Sequence, residues 1–273
     1  MLSLIIIHYA TPESLAQTLA AFARPEGLES FEIVVVDNAS LGPVAPILQD
    51  YFPKVRFILN RSNVGFGRAA NQGASIARGE SLLFLNGDCF LGPEQLQAIG
   101  EAAGTLERAG AVGFRQVTPT GRPQLTFGRF PTFRSELKRR RWQKALDVEG
   151  AEWAIREFDR LGQRPFEVDW VSGSCLWTPR EVFEQVGGFD ETFFLYFEDI
   201  DLCRRIQQQG WKIYHCPQPE ILHLHGAGAA QNPPLARAAY RQSQRYFAKK
   251  HRGAWGALTM KAYQQARTLL GLP

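Results

Sequence analysis

Residues 33–40 read Ile33-Val34-Val35-Val36-Asp37-Asn38-Ala39-Ser40, four β-branched apolar residues that run straight into a carboxylate and turn formers. A continuous apolar run of this kind predicts a strand buried on both faces, and the polar stop marks its carboxyl end. The pattern recurs on either side. Residues 2–7, 55–59, 81–85 and 111–114 are short runs rich in β-branched or aromatic side chains. Helical stretches lie between the first four, with Thr11-Pro12 placed as an N-cap and first-turn proline and Pro93 opening another helix. Strands alternating with helices predict an α/β fold: a doubly wound, mostly parallel sheet with a Rossmann-like first half. Ligands of such sheets sit at the carboxyl ends of the strands, so the residues just after each run are the candidates for chemistry.

The chain has 273 residues, 45% hydrophobic and 21% charged, which suffices for a sizeable core and excludes a disordered protein. Its net charge of +4 is unevenly spread. No acidic residue follows Glu220, while Arg237, Arg241, Arg245, Lys249, Lys250, Arg252, Lys261 and Arg267 do, so residues 221–273 carry +8. Residues 1–220, with 23 basic and 27 acidic side chains, carry −4. A basic appendix on a slightly acidic body suggests an anionic partner, or else a solvated helix face. Cys89, Cys175, Cys203 and Cys216 form no C-x-x-C pair and read as reduced thiols. Residues 2–7 are too short for a signal peptide, and no stretch approaches the roughly 18 apolar residues of a membrane span. The expectation is a cytoplasmic protein, with room for a peripheral position on the inner face of a membrane.

After residue 116 the alternation loosens. Residues 117–165 read as a variable insertion holding the basic run Lys138-Arg139-Arg140-Arg141-Trp142, followed by a helical stretch to about residue 161. Order returns over 166–230, with a strand at 211–214 and a Pro-rich loop after it. Two basic helices, about 235–251 and 255–270, close the chain. The predicted plan is a catalytic domain over 1–230, its nucleotide-binding half at 1–116 and its acceptor half at 166–230, and a helical extension over 231–273.

Asp37 can accept a hydrogen bond from the imide N–H of uracil or thymine, although Asp-Asn also makes ordinary turns. In Asn63-Val64-Gly65-Phe66-Gly67-Arg68-Ala69-Ala70-Asn71-Gln72-Gly73 small residues open a helix, where backbone can approach a diphosphate and Arg68 can meet a phosphate. Asp88, in Leu85-Asn86-Gly87-Asp88, is placed for a hard divalent cation that bridges phosphate oxygens. Farther on, Phe193-Phe194-Leu195-Tyr196-Phe197 leads into Glu198-Asp199-Ile200-Asp201. Asp201 and Arg205 are spaced i,i+4 and read as a structural pair, whereas Asp199 lies on another face with no basic partner. An acid desolvated behind an aromatic run is a general-base candidate. His223-Leu224-His225 offers a late metal-binding histidine.

Asp37-Asn38-Ala39-Ser40, the Asn63 to Gly73 loop, Leu85-Asn86-Gly87-Asp88, Gly187-Gly188-Phe189-Asp190-Glu191 with residues 193–205, and His225 together resemble glycosyltransferase family 2. The nearest look is to bacterial rhamnosyltransferase-like members that build cell-surface polysaccharides. The resemblance implies a GT-A fold, a nucleoside-diphosphate sugar donor such as dTDP-rhamnose or a UDP-sugar, Mg²⁺ or Mn²⁺, and inversion at the anomeric carbon. It also implies a glycan or lipid-linked acceptor, which would draw the basic tail to an anionic membrane unless the tail packs internally or on a second copy in a homodimer. Position by position it implies nucleobase binding by Asp37, with His8 and Tyr9 lining the same pocket beside Asn38, and Asn63, Arg68 and Asn71 along the nucleotide. It implies Asp88 and His225 as metal ligands and Asp199 as the base. Glu198, Gly173, Ser174 and Trp170 or Trp177 fall on the acceptor side, where indole faces stack on sugars. Asn86 stands where the family's D-x-D motif has its first acid. A nucleotidyltransferase would need a Gly-rich basic loop, and Ile7-His8-Tyr9-Ala10-Thr11 offers none. A nucleic-acid binder would need an aromatic ladder that the basic tail lacks.

Overall fold

The computed structural model describes residues 1–22, 31–40, 55–148, 151–224 and 232–269. Strands β1 (Leu2–His8), β2 (Phe31–Asp37), β3 (Val55–Leu59) and β4 (Ser81–Asn86) lie in the order β3-β2-β1-β4, all parallel. β1 is buried at every position, as a strand covered on both faces must be. Alternate residues serve opposite layers. Ile5, Ile7, Val36 and Phe84 face one hydrophobic cluster and Leu4, Ile6, Val35 and Leu85 the other.

Helix α1 (Pro12–Ala21) starts at Thr11 with Pro12 in its first turn, but the Thr11 hydroxyl gives no side-chain cap. It stands 3.2 Å from Nδ1 of His8 instead. Helix α2 (Phe66–Ile76) packs on β1 and β2 through Ala69, Ala70, Gly73 and Ala74. Gly73 permits that approach, since a Cβ there would stand 2.4 Å from Cγ2 of Ile5. Gly73→Ala should therefore destabilise the protein by about 1–3 kcal/mol, read as a lower Tm in thermal unfolding. An unchanged Tm would mean that α2 shifts freely on the sheet.

The second half of the sheet departs from simple alternation. After α3 (Pro93–Gly104) comes β6 (Ala109–Val117), but it does not pair with β4. The strand between them is β11 (Cys175–Pro179), antiparallel to both. Beyond β6 lie β12 (Lys212–His223), parallel to it, and the two-residue β5 (Cys89–Phe90), antiparallel to β12. The Pro-rich segment expected to be a loop is thus strand. Pro217 and Pro219 fall where the β12–β6 register shifts between Cys216 and Ile221, the kind of irregularity that tolerates a missing N–H.

Residues 117–165 are also built into the fold. They supply β7 (Pro123–Gln124), β8 (Phe127–Gly128), α4 (Phe133–Asp147) and α5 (Glu152–Leu161), and they bury Phe127, Leu146 and Phe158 in the main core. β9 (Phe166–Glu167) pairs with β12, and β10 (Trp170–Val171) with β8. Helices α6 (Arg180–Gln185), α7 (Glu198–Gln208) and α8 (Pro233–Leu269) complete the chain, α8 being broken at Gly253. Its two halves match the two basic helices expected. No described helix is long and apolar enough to cross a membrane.

Candidate active site

The carboxyl ends of β1, β2 and β4 meet at one rim. His8 is opposite Asp37 across the β1–β2 ladder and Ile7 opposite Asn86 across β1–β4. Two cavities of about 280 Å³ each open there. Tyr9, Asn38, Asn63, Asn86 and Asp88 line the first, and Glu136, Arg139, Gly173, Glu198, Asp199 and Tyr240 the second. Asn86, Ser172, Ser174, Tyr196 and His223 border both, so the two are halves of one cleft.

In the first half, Asn38 ties the end of β2 to the following loop. Its Oδ1 accepts from the Val64 amide at 2.9 Å, and its Nδ2 donates to Asn63 Oδ1 at 2.9 Å and to the Gly65 carbonyl at 3.2 Å. Gly65 has φ of 89°, and a Cβ there would stand 2.4 Å from the Phe194 carbonyl oxygen. The Asp37 carboxylate is buried and accepts from the Ser40 hydroxyl and amide. His8 Nε2 stands 3.9 Å from Asp37 Oδ1, and burial lowers the His8 pKa although Asp37 opposes it. Arg68 and Asn71 do not line the cleft. Arg68 Nε donates to Glu191 at 2.6 Å, and Asn71 pins the Gly187–Glu191 segment by exchanging hydrogen bonds with the Phe189 backbone, both at 2.9 Å. Phe189 in turn plugs the core against Phe84 and Phe183.

Asp88 and His223 share the floor of the first half. His223 Nε2 is 3.3 Å from Asp88 Oδ1, and both residues are buried. Two cis ligands at about 2.1 Å from one hard cation stand roughly 3.0–3.2 Å apart, so the pair fits a divalent ion. Cys89 is close enough to join the cluster, but its thiol points at the Ser174 carbonyl and burial drives its pKa well up. A protonated thiol is a poor ligand for Mg²⁺ or Mn²⁺. His225 lies outside the described residues, and His223, two positions earlier, is the histidine seen beside Asp88.

The second half is built at the start of α7. Tyr196 and Phe197 both adopt left-handed backbone, with φ of 67° and 70°. Two consecutive non-glycine residues in that region are costly, and such corners concentrate at functional sites. This one turns Glu198 and Asp199 into the cleft. Asp199 Oδ2 accepts from the Gly173 amide at 3.0 Å and Oδ1 from the Ile200 amide at 2.8 Å. Burial pushes the Asp199 carboxyl above its ordinary value, against the pull of those amides and of Arg139. Burial, and then the Asp199 charge, raise Glu198 much further. Ser174 donates to Gln116 at 2.9 Å, and Trp170 lines the cleft with its indole N–H on the Arg129 carbonyl at 2.9 Å. Trp177 is buried in the cluster on the β1–β4 sheet's Leu4 side, as core packing. Asp201 keeps its structural part, held by Arg205 at 2.7 Å, Lys250 at 2.8 Å and His251 at 2.7 Å.

Residues 3–187 match the family model for glycosyl transferase family 2. The chain belongs to glycosyltransferase family 2. A second model of the same kind, glycosyl transferase family group 2, matches residues 138–270. Among similar proteins, the N-acetylglucosaminyl-diphospho-decaprenol L-rhamnosyltransferase of Mycobacterium tuberculosis is 29% identical over 99% of this chain and 94% of its own. The low-salt glycan biosynthesis hexosyltransferase Agl10 of Haloferax volcanii is 25% identical over 81% of this chain and 66% of its own. Among solved structures, residues 1–349 of TarS of S. aureus superpose with a TM-score of 0.57 at 15% identity, covering 90% of this chain and 64% of that fragment. The mannosyltransferase PcManGT of Pyrobaculum calidifontis, solved with GDP-Man and Mn²⁺, gives 0.54 at 16% identity over 98% and 75%. The chain is thus a rhamnosyltransferase-like member of family 2 with the GT-A fold.

Sequence reading missed the far wall of the cleft. Glu136 and Arg139 of α4 meet Tyr240 of α8 there. Arg139 Nε donates to Glu136 Oε1 at 3.2 Å, and the Tyr240 hydroxyl donates to Glu136 Oε2 at 3.3 Å. The three-residue spacing of Glu136 and Arg139 inside a basic run was the only available signal, and it is common on solvated helices.

Proposed function

We propose that this glycosyltransferase is inverting and metal-dependent. It would take a hexose, dTDP-rhamnose being the first donor to try, from a nucleoside diphosphate held in the first half of the cleft. The receiver would be a sugar hydroxyl of a glycan or lipid-linked acceptor in the second half, in cell-surface polysaccharide synthesis. The reading rests chiefly on one observation: Asp199 faces one half and Asp88 the other, His223 stands on the border they share, and the two halves are continuous. The acceptor class draws support from the Mycobacterium tuberculosis relative, whose named acceptor is a sugar on a diphospho-lipid.

In the proposed reaction Asp199 takes the acceptor proton as the hydroxyl attacks C1 from the side opposite the diphosphate. A single displacement of that kind inverts the anomeric centre. Asp88 and His223 would hold Mg²⁺ or Mn²⁺, which supplies charge neutralisation on the departing diphosphate. The Gly173 and Ile200 amides fix the carboxylate that accepts the proton, so its geometry is set before substrate arrives. Tyr9, Asn38 and Asn63 would border the nucleoside, and Gly173, Ser174, Trp170 and Glu198 the acceptor. The protein would work in the cytoplasm, against the leaflet that carries such an acceptor.

Purified protein should release nucleotide from dTDP-rhamnose, with Mn²⁺ and a diphospho-lipid-linked N-acetylglucosamine, faster than from UDP- or GDP-sugars. Proton NMR of the product should show the anomeric configuration opposite to the donor's. A retained configuration would defeat the single displacement, and a preference for another nucleotide would redirect the donor assignment.

A further inference from the structure

The two halves of α8 fold back on each other at Gly253, where φ is 68°. Residues 233–252 lie on the catalytic body. Ser243 donates to the Leu195 carbonyl at 2.8 Å, Phe247 is buried against Phe197, and Lys250 and His251 grip Asp201. Residues 254–269 return along that first half, with Gln264 Nε2 donating to the Arg241 carbonyl at 2.9 Å and to Gln244 at 3.0 Å, and with Met260 buried. The opposite face of this second half carries Trp255, 79% exposed, Leu258, 58%, and Leu269, 88%. Ala262 and Ala266 are exposed between them. Positions 255, 258, 262, 266 and 269 fall on one helical stripe, so the exposed apolar groups form a continuous row about 21 Å long.

A solvated helix normally turns such a row inward, so this row calls for an occupant. Charge decides which. Residues 221–273 hold eight basic side chains and no acidic one, and Arg237, Arg241, Arg245, Lys249 and Lys261 are exposed. A second copy would bring the same positive charge against the first. We propose that residues 254–269 are a membrane-insertion helix, whose Trp255–Leu258–Leu269 row enters the headgroup region of an anionic bilayer. Its basic neighbours meet the lipid phosphates. An amphipathic helix lying in the plane of the interface, with the exposed Trp255 in its apolar row, the exposed Lys261 off that row and the basic first half alongside, has the chemistry such a surface selects. This surface is distinct from the cleft and would stand even if the acceptor assignment failed.

The test is sedimentation of the full chain with phosphatidylcholine vesicles, alone or mixed with phosphatidylglycerol. Binding is expected to the mixed vesicles only. It should fall by at least about tenfold in Trp255→Ser/Leu258→Ser, two exposed positions whose loss leaves the core intact. Brominated lipid chains should quench tryptophan emission in the wild type and much less in Trp255→Phe. No binding to anionic vesicles, equal binding to neutral ones, or equal binding of the double variant would each overturn the proposal. So would a dimer in solution that the double variant dissolves while vesicle binding is absent.

Discussion

Asp199→Asn should lower the turnover number by roughly 10²–10⁴-fold while donor affinity stays near that of the wild type. Asparagine keeps the shape and can still accept from the Gly173 amide, but it cannot take a proton at neutral pH. The residue lines the half of the cleft proposed for the acceptor, so a donor titration by calorimetry should hardly register the change. The pH profile adds a second readout. A general base works only when deprotonated, so the rate rises with pH through the base's own pKa. Burial holds the Asp199 carboxyl above its ordinary value, and the adjoining Glu198 higher still. The acid limb should therefore lie above the usual carboxylate range of about 4 and should flatten in Asp199→Asn. Retained turnover in the variant would remove Asp199 as the base and turn attention to Glu198.

Chelation should have an effect of the same order. EDTA is expected to abolish transfer, and added Mn²⁺ to restore it. Asp88→Ala and His223→Ala should each weaken Mn²⁺-dependent donor binding by at least the roughly 10–100-fold that loss of an outer partner costs at a metal site. The two residues come from segments far apart in sequence and meet only because β5 pairs with the end of β12, His223 opposite Cys89. A matched loss in both variants thus tests the topology as well as the ligand set. Calorimetry of dTDP with and without Mn²⁺ separates this effect from general instability. Full activity in chelator would defeat the metal assignment for both residues.

How much of this was legible in the sequence varied with the range of the interaction. The strand ends carrying His8, Asp37 and Asn86, and the entry to α2, follow from local signals: β-branched runs, then turn formers and small residues. The order of the second half of the sheet does not, because β11 enters between β4 and β6 through contacts across more than sixty positions. Pro217 and Pro219 read as loop because a proline cannot donate to a ladder, and nothing local reveals a register shift that accommodates them. His223 and His225 differ by two positions, which on a strand puts them on the same face, so the pattern alone cannot choose between them. Arg68 and Asn71 looked like nucleotide contacts because cationic and amide side chains at a helix entry suit phosphates. Their engagement with Glu191 and Phe189 became visible only once the Gly187–Glu191 segment was folded against α2.

The far wall of the cleft is assembled from α4 and α8, while the half proposed for the donor is assembled from the ends of β1, β2 and β4. Glu136, Arg139 and Tyr240 are held by one another more than by the sheet. Substitution within that trio would reshape that wall of the cleft while leaving the strands on which the proposed nucleotide site rests in place. Under the proposed reading, donor choice and acceptor choice would rest on separate parts of the fold, so that changes confined to two helices could alter the acceptor while the donor stays the same.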